Sequence, residues 1–583
     1  MSQTARRFSS RVRTSGTALT VLMLATASAS AAIELSLTGA DGQLADNIRA
    51  HIDTEVVVDS ELAGRFYREQ VIEQVQNAAE ALGYYQAEAD VALRREDDDW
   101  ALSIAVTPGP RVEVRDVALD VTGEGADDPR LERIRRILPL QSGAALNHAD
   151  YEASKRALSN EALQRGFFDY RFTTARLAVN AEAGWADATL TMDSGPRYEL
   201  GEVTFSSTPF RREFLERLVP FRPGTPYTAD AVADFNQRLF ESGYFEDAVV
   251  ETQRDAGSGK RIPVRAEVTT GERNSVTTGL GYSTDEGPRL RFGYERHYVN
   301  NRGHRFNTEL RLSSARQGLN ARYEIPLADP VNDELSVTTA WQNEDIEDSR
   351  SERYSVRVGR RQTFTSGWTR TQSLRVLSER FTAGLDSGRS RLVLPGIRFS
   401  RTRSRGGVDP DWGDNQRYSL EIARQELLSD VDIARLQLGS TWLRNLREVH
   451  RFELGAELGG VATSDFNEVP TSLRFFAGGD QSVRGFAYRS LGPKDASGDV
   501  TGGRYLTTAS AEYSYALTGN WRLATFVDAG DAYEEIDAFD PEVGTGFGVR
   551  WSSPVGPLRL DFAWGVSRED VPFRVHFSIG PPF

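Results

Sequence analysis

The sequence predicts two fold classes in one chain: three α+β repeats, then an all-β antiparallel barrel that crosses a membrane. Three observations carry this. A Gly-aromatic-aromatic marker recurs at Gly83-Tyr84-Tyr85, Gly166-Phe167-Phe168 and Gly243-Tyr244-Phe245, at separations of 83 and 77 residues. After Arg273 the helical periodicity gives way to period-two alternation broken by polar, Gly- and Asp-rich loops. No stretch after the N-terminus reaches the roughly eighteen apolar residues of a membrane helix, so any membrane domain must be a closed barrel.

The N-terminus reads as a secretory leader, residues 1–31. Arg6, Arg7, Arg11 and Arg13 precede an apolar run from Ala18 to Ala27 and the small-residue stretch Ala29-Ser30-Ala31. That run spans only ~15 Å as a helix and is a poor permanent anchor. The chain has no cysteine and a net charge of −15. Disulfides and thiolate metal sites are therefore excluded, and the acidic balance argues against coating nucleic acid.

Each repeat reads strand, helix, helix, strand, strand. Helical patterns run over Arg68–Leu82, Tyr151–Leu163 and Ala229–Phe240, with Leu158, Leu163 and Leu239 as core positions, and each closes on its marker glycine. Strands are expected at Ile33–Leu37, Val112–Val121 and Tyr198–Phe205. A second marker, Pro108-Gly109-Pro110-Arg111, Ser194-Gly195-Pro196-Arg197 and Thr270-Gly271-Glu272-Arg273, separates the units. The boundaries read from these markers are 32–110, 111–197 and 198–272, with the barrel over 273–583. The Gly-rich Ala256–Lys260 is a hairpin turn rather than a phosphate loop: Arg254 and Arg261 stand where glycine and Ser/Thr would be needed.

Parity is clearest near the C-terminus. Phe573, Val575, Phe577 and Ile579 alternate with Arg574, His576, Ser578 and Gly580, so one face suits lipid and the other a wet interior. The same rule turns Glu512, Arg522, Asp528, Arg550 and Asp561 inward. Between two such strands lies the aromatic- and glycine-rich stretch Arg474–Phe486, whose Arg484 must meet carboxylates or water if the loop folds inward. Two acceptors follow it: Arg484 is expected to pair with Asp528, Glu512 or both. In the competing reading these carboxylates bond Arg522 and Arg550 in an inner charge ladder.

Val483-Arg484-Gly485-Phe486 resembles the sixth-loop signature of the Omp85 superfamily of outer-membrane assembly and translocation proteins. Phe526-Val527-Asp528-Ala529-Gly530 is similar to a second family motif, and the repeats resemble polypeptide-binding POTRA domains. Three of them match the TamA branch best. The resemblance implies a barrel of about sixteen strands, which at roughly nineteen residues per strand and loop fits the remaining length. It implies that the loop arginine latches onto lumenal acids. It also implies that the C-terminal strand (Phe573, Val575, Phe577, Ile579, Gly580, Phe583) is an insertion signal.

The expected function is insertion or secretion of client proteins, including autotransporter-like barrels, through a lateral seam. That seam would lie between the last strand and the first, near Ser275–Ser283, where Gly279, Gly281, Pro581 and Pro582 weaken pairing. Expected partners are a TamB-like inner-membrane-anchored protein, unfolded outer-membrane clients and outer-membrane lipid, with no nucleic acid. The expected location is the outer membrane of a Gram-negative bacterium, with the repeats in the periplasm. The alternatives are a two-partner-type secretion pore for one substrate, or phospholipid transport with the TamB-like partner. Six scattered histidines without zinc-like spacing, and no Gly-x-Ser-x-Gly elbow, give no catalytic, metal or cofactor site, so no enzyme activity is expected.

Overall fold

The structure is a computed structural model that describes residues 33–579 apart from 97–98, 258, 347, 408–409, 448 and 554–555. The leader expected over residues 1–31 lies outside the described residues. The chain divides into two units, Met1–Arg197 and Tyr198–Phe583.

The first unit holds two sheets of one plan. The first comprises β1 (Glu34–Thr38), α1 (Gly42–His51), α2 (Glu61–Glu80), β2 (Glu88–Glu96) and β3 (Asp99–Thr107). Here β3 is central, parallel to β1 and antiparallel to β2. The second comprises β4 (Glu113–Thr122), α3 (Pro129–Arg136), α4 (His148–Gln164), β5 (Arg171–Asn180) and β6 (Trp185–Asp193), with β6 central. The marker glycines all adopt positive φ, at 89°, 84° and 69°. α2 begins seven residues before the expected Arg68 because Ser60 caps it, its hydroxyl accepting from the Ala63 amide at 3.2 Å. Leu158 is buried as expected, but Leu163 is 38% exposed. The buried face of α4 runs through Tyr151, Ser154, Leu158 and Ala162, and Leu163 falls one residue past it.

The second unit opens with a third such sheet: β7 (Glu199–Phe205), α5 (Arg212–Glu216), α6 (Ala229–Glu241), β8 (Phe245–Thr252) and β9 (Arg261–Thr270), with β9 central. Sixteen antiparallel strands follow in sequence order. They are β10 (Asn274–Ser283), β11 (Gly287–Arg296), β12 (Arg305–Ser313), β13 (Arg316–Pro326), β14 (Asp333–Ile346), β15 (Ser349–Thr363), β16 (Thr369–Ala383) and β17 (Asp386–Arg405). The other half is β18 (Trp412–Ala423), β19 (Ile433–Leu446), β20 (His450–Thr463), β21 (Tyr505–Ala516), β22 (Trp521–Tyr533), β23 (Glu542–Ser553), β24 (Gly556–Gly565) and β25 (Phe573–Ile579).

Alternation sets the two faces of the barrel wall. Val356, Val358, Leu374, Val376, Leu523, Val527 and Phe547 are exposed on the outside, whereas Glu379, Asp414, Asp528 and Asp561 are buried on the inside. An apolar exterior around charged interior positions is the inverse of a soluble protein and suits a wall solvated by lipid. Trp521 and Trp551 stack at 5.3 Å near the strand ends that face the third module, as aromatics do at a membrane interface. Wall height is uneven: the seven residues of β25 cover ~23 Å, the fifteen of β15 and of β16 ~50 Å.

The third module is fastened to the barrel's first two turns on its side. Tyr244 donates its hydroxyl to the Gly303 carbonyl at 2.5 Å, Phe210 and Phe214 pack against its ring, and Tyr298 packs in turn on Phe210. Arg217 donates to the carbonyls of Pro326 at 3.1 Å and Leu327 at 2.6 Å, and Arg238 pairs with Asp329.

Candidate functional site: a loop anchored in the barrel lumen

The chain between β20 and β21, residues 464–504, folds into the barrel. It supplies Phe466, Val469, Leu473, Phe475, Ala477, Val483, Phe486 and Leu491 to an apolar cluster completed by inward residues of the wall, including Leu377, Leu392, Leu394 and Ile433. A loop this rich in aromatic and aliphatic residues buries them against the wall rather than exposing them to water. Arg474, fully buried, holds the fold of the loop from within, donating to the carbonyls of Val469 at 2.8 Å and Thr501 at 3.0 Å.

Arg484 sits at the far end of this loop. Its Nε donates to Asp528 Oδ2 at 2.6 Å and its Nη2 to Asp528 Oδ1 at 2.9 Å, a two-pronged pair. Its Nη1 reaches Glu512 Oε2 at 2.7 Å and Asp561 Oδ2 at 3.3 Å. The guanidinium carbon lies 3.4 Å from the centroid of the Phe526 ring. Burial opposes the charge, but Asp528, Glu512 and Asp561 outweigh it and raise the Arg484 pKa above its ordinary value. Both expected acceptors therefore bind the arginine. The charge ladder is present too: Arg550 contacts Glu512 at 2.7 Å and Asp561 at 2.6 Å. Asp528, in contrast, is committed to Arg484, and Arg522 bonds Ser514 and the Val449 carbonyl.

The neighbours of Arg484 are shaped around it. Gly485 has φ of +96° and presses against Trp564 and Gly565, and its amide donates to His576 Nε2 at 3.1 Å. A Cβ on Gly544 would stand 1.8 Å from the Arg484 carbonyl oxygen. Val483 and Phe486 are buried.

Three further tethers escaped sequence reasoning. Asp561, assigned only an inward face, is a third acceptor for Arg484. Glu379 of β16, wholly buried, accepts from Ser351 Oγ at 2.7 Å, Thr471 Oγ1 at 3.0 Å and the Ser472 amide at 3.1 Å, and also bonds the Ser472 hydroxyl. It ties the front of the loop to the opposite wall. Asp285, in the turn after β10, accepts from the Asp480 amide at 2.8 Å. Burial and the adjacent Asp285 push the Asp480 carboxyl up to about 7. The only signal for these in the sequence was the inward parity of Glu379 and Asp561.

The first and last strands occupy the two ends of the hydrogen-bonded order. Among the described residues they and the turn after β10 meet through the Thr284 amide on the Phe577 carbonyl at 3.4 Å, the Phe577 amide on Thr284 Oγ1 at 3.4 Å, the Tyr282 and Phe577 rings at 6.2 Å, and His576 Nδ1 at 3.9 Å from Asp285 Oδ1. Of the residues of the C-terminal strand singled out from the sequence, Phe573 and Val575 are exposed outward and Phe577 and Ile579 half-buried. Gly580 and Phe583, with Pro581 and Pro582, lie outside the described residues.

Comparison with known proteins places this geometry. The family model described as the Omp85 superfamily domain matches residues 256–583, more than half of the chain. The chain belongs to the Omp85 superfamily. Its N-terminal region matches the model described as POTRA domain TamA domain 1 over 34–108, and a POTRA model described as a surface antigen variable number repeat matches 198–271. Relatives include proteins named outer membrane protein assembly factor BamA from Nitratidesulfovibrio vulgaris, 24% identical over 84% of this chain and 64% of the relative, and from Neisseria meningitidis serogroup B, 21% identical over 88% and 72%. The chain thus spans just under two thirds of the first relative's length. A crystal structure of BamA from Haemophilus ducreyi lacking POTRA domains 1–3 superposes with a TM-score of 0.67 at 15% identity, covering 80% of this chain and 99% of that one, a likeness of fold.

Two outcomes follow for this Omp85 site. Gly544→Ala drives a methyl into the Arg484 carbonyl and lowers the thermal stability of the folded barrel by about 1–3 kcal/mol, as overpacking does, measured by heat-modifiable migration. Asp480, whose folded pKa lies above its unfolded value, contributes stability present below about pH 4 and lost as pH rises through about 7. Asp480→Asn therefore removes that pH dependence and raises the melting temperature at pH 8 relative to the parent.

Proposed function

We propose that this protein is an assembly factor that inserts client proteins into the outer membrane through the join between β10 and β25, with its three modules in the periplasm. One observation supports the reading above all. In a wall otherwise laddered strand to strand, the described residues of the first and last strands meet through only a few contacts, at the Tyr282–Thr284 end of β10. Strand edges without ladder partners among the described residues of the join can template an incoming strand by backbone hydrogen bonding alone, with little demand on its side chains. Over its described residues the wall is also short at this join, and a bilayer that thins to meet it lowers the cost of entry.

The lumen supports insertion over conduction. A secretion pore for an unfolded substrate needs a clear axial path, whereas the loop over 464–504 is tied to β16 on one wall and to β21, β22 and β24 on the other. Conduction would require breaking a buried ion cluster. The TamA-type match over 34–108 and the three-module count support placing the protein in the TamA branch, with a TamB-like inner-membrane-anchored partner and autotransporter-like barrels among its clients. No nucleotide is at hand in the periplasm, so the pairing and burial of client strands drive the process.

A disulfide across the join tests this. Thr284→Cys with Phe577→Cys places thiols where the two backbones already touch. The oxidised protein is expected to fold but to lose insertion of client barrels in reconstituted vesicles, with recovery on reduction. Full activity of the oxidised form would overturn the reading.

A further inference from the structure

We propose that the barrel carries an oxyanion-binding site in its lumen, built for a phosphate ester, on the wall formed by β13 to β17. It is independent of the insertion reading. Arg322, Arg353, Arg357, Arg361, Arg375 and Arg398 line a cavity of about 550 Å³, together with neutral polar groups such as Asn320, Thr338 and Thr371; no carboxylate is among its described lining residues. This is a concentration of positive charge in a chain whose net charge is −15.

The carboxylates behind this surface are too few to neutralise it. Glu334 is shared by Arg322 at 3.0 Å and Arg361 at 2.8 Å, and Glu421 by Arg375 at 2.8 Å and Arg357 at 3.7 Å. Glu324 serves Arg322 at 2.9 Å. Glu344, 3.5 Å from Arg353, also serves Arg316 and the loop residue Arg489. Arg398 has no ion-pair partner among the described residues, and the buried Nε of Arg375 finds no acceptor among them.

The register makes the imbalance costly. Arg357 and Arg375 are direct partners across the β15–β16 ladder, an arrangement in which like charges repel. A fold that keeps two guanidiniums opposed on an enclosed wall gains from a bridging anion. Arg353, Arg357 and Arg361 recur every fourth residue along β15, ~13 Å apart. They form a track from beneath the inserted loop, where Ser472 lines the same cavity, toward the turn over 327–332 that holds the third module.

Guanidinium forks match the oxygens of phosphate and carboxylate alike. Six guanidiniums against four carboxylates, one of them shared with Arg316 and Arg489, leave a surplus of positive charge that favours the multiply ionised partner, a phosphate ester, over a monocarboxylate. That chemistry belongs both to free phosphorylated solutes and to the headgroup of an acidic phospholipid.

The test uses the full chain in neutral detergent, with inorganic pyrophosphate and dihexanoyl phosphatidic acid as probes in calorimetric titration and thermal melting. Pyrophosphate is expected to bind saturably, to weaken with salt, and to raise the melting temperature. Arg398→Gln and Arg357→Gln should each weaken binding by roughly tenfold, as loss of a charge-assisted hydrogen bond does. Without ligand, Arg357→Gln should melt at or above the parent temperature, because it relieves the repulsion with Arg375. Binding by the lipid as well as pyrophosphate assigns the site to a headgroup, and binding by pyrophosphate alone to a free solute. Absence of saturable binding by both probes, binding indifferent to both substitutions, or a lowered ligand-free melting temperature for Arg357→Gln would overturn the proposal.

Discussion

A buried guanidinium cannot shed its charge, and that constraint organises the inner half of this barrel. Arg484 is carried on a loop rather than on a strand, so the carboxylates that satisfy it must come from the wall, and three adjoining positions supply them: Glu512, Asp528 and Asp561. Those acids would repel one another if the loop were absent, and the wall's Arg550 is paired with two of them, Glu512 and Asp561. The wall and the loop therefore complete each other electrostatically. Each leaves a stranded charge without the other, which is costly in a site this enclosed.

A single anchor would let the loop pivot. Glu379 on β16 removes that freedom, because the loop meets it through Thr471 and Ser472, thirteen and twelve residues before Arg484 and on the opposite wall. The loop and the wall also share one apolar cluster around these tethers. Asp480 adds a third tether at the first turn, beside the join between the end strands. The loop thus spans the barrel as a strut: it braces the cylinder where the ladder is continuous and reaches, through Gly485 and His576, the last strand at its one discontinuity. A run of direct contacts therefore connects the arginine cluster to the last strand.

Much of this was legible in the sequence because the signals were periodic. Strict alternation placed Glu512 and Asp528 on the inner face, and the spacing of Gly83, Gly166 and Gly243 gave three modules of one plan. Leu163 misled because a leucine near the end of a helical pattern looks like core, whereas the helix phase carries it off the buried face. The roles of Glu379, Asp480 and Asp285 were not readable. Each depends on how a forty-residue loop folds back on the wall, a matter of three-dimensional closure that leaves no local pattern. The opposed Arg357 and Arg375 were hidden for a related reason: ladder register across β15 and β16 is fixed by the hairpin that joins them, and that stretch alternates only faintly.

The central claim is that Arg484 and the wall acids stabilise one another. A double-mutant cycle on Arg484→Ala and Asp528→Ala, read as unfolding free energy of the purified barrel in detergent, tests it most directly. The account predicts that each single substitution costs about 3–5 kcal/mol by stranding the other charge, and that the double substitution costs little more than either alone. Strictly additive losses would contradict it, because the two groups would then contribute independently and the loop would owe its place in the lumen to apolar packing alone.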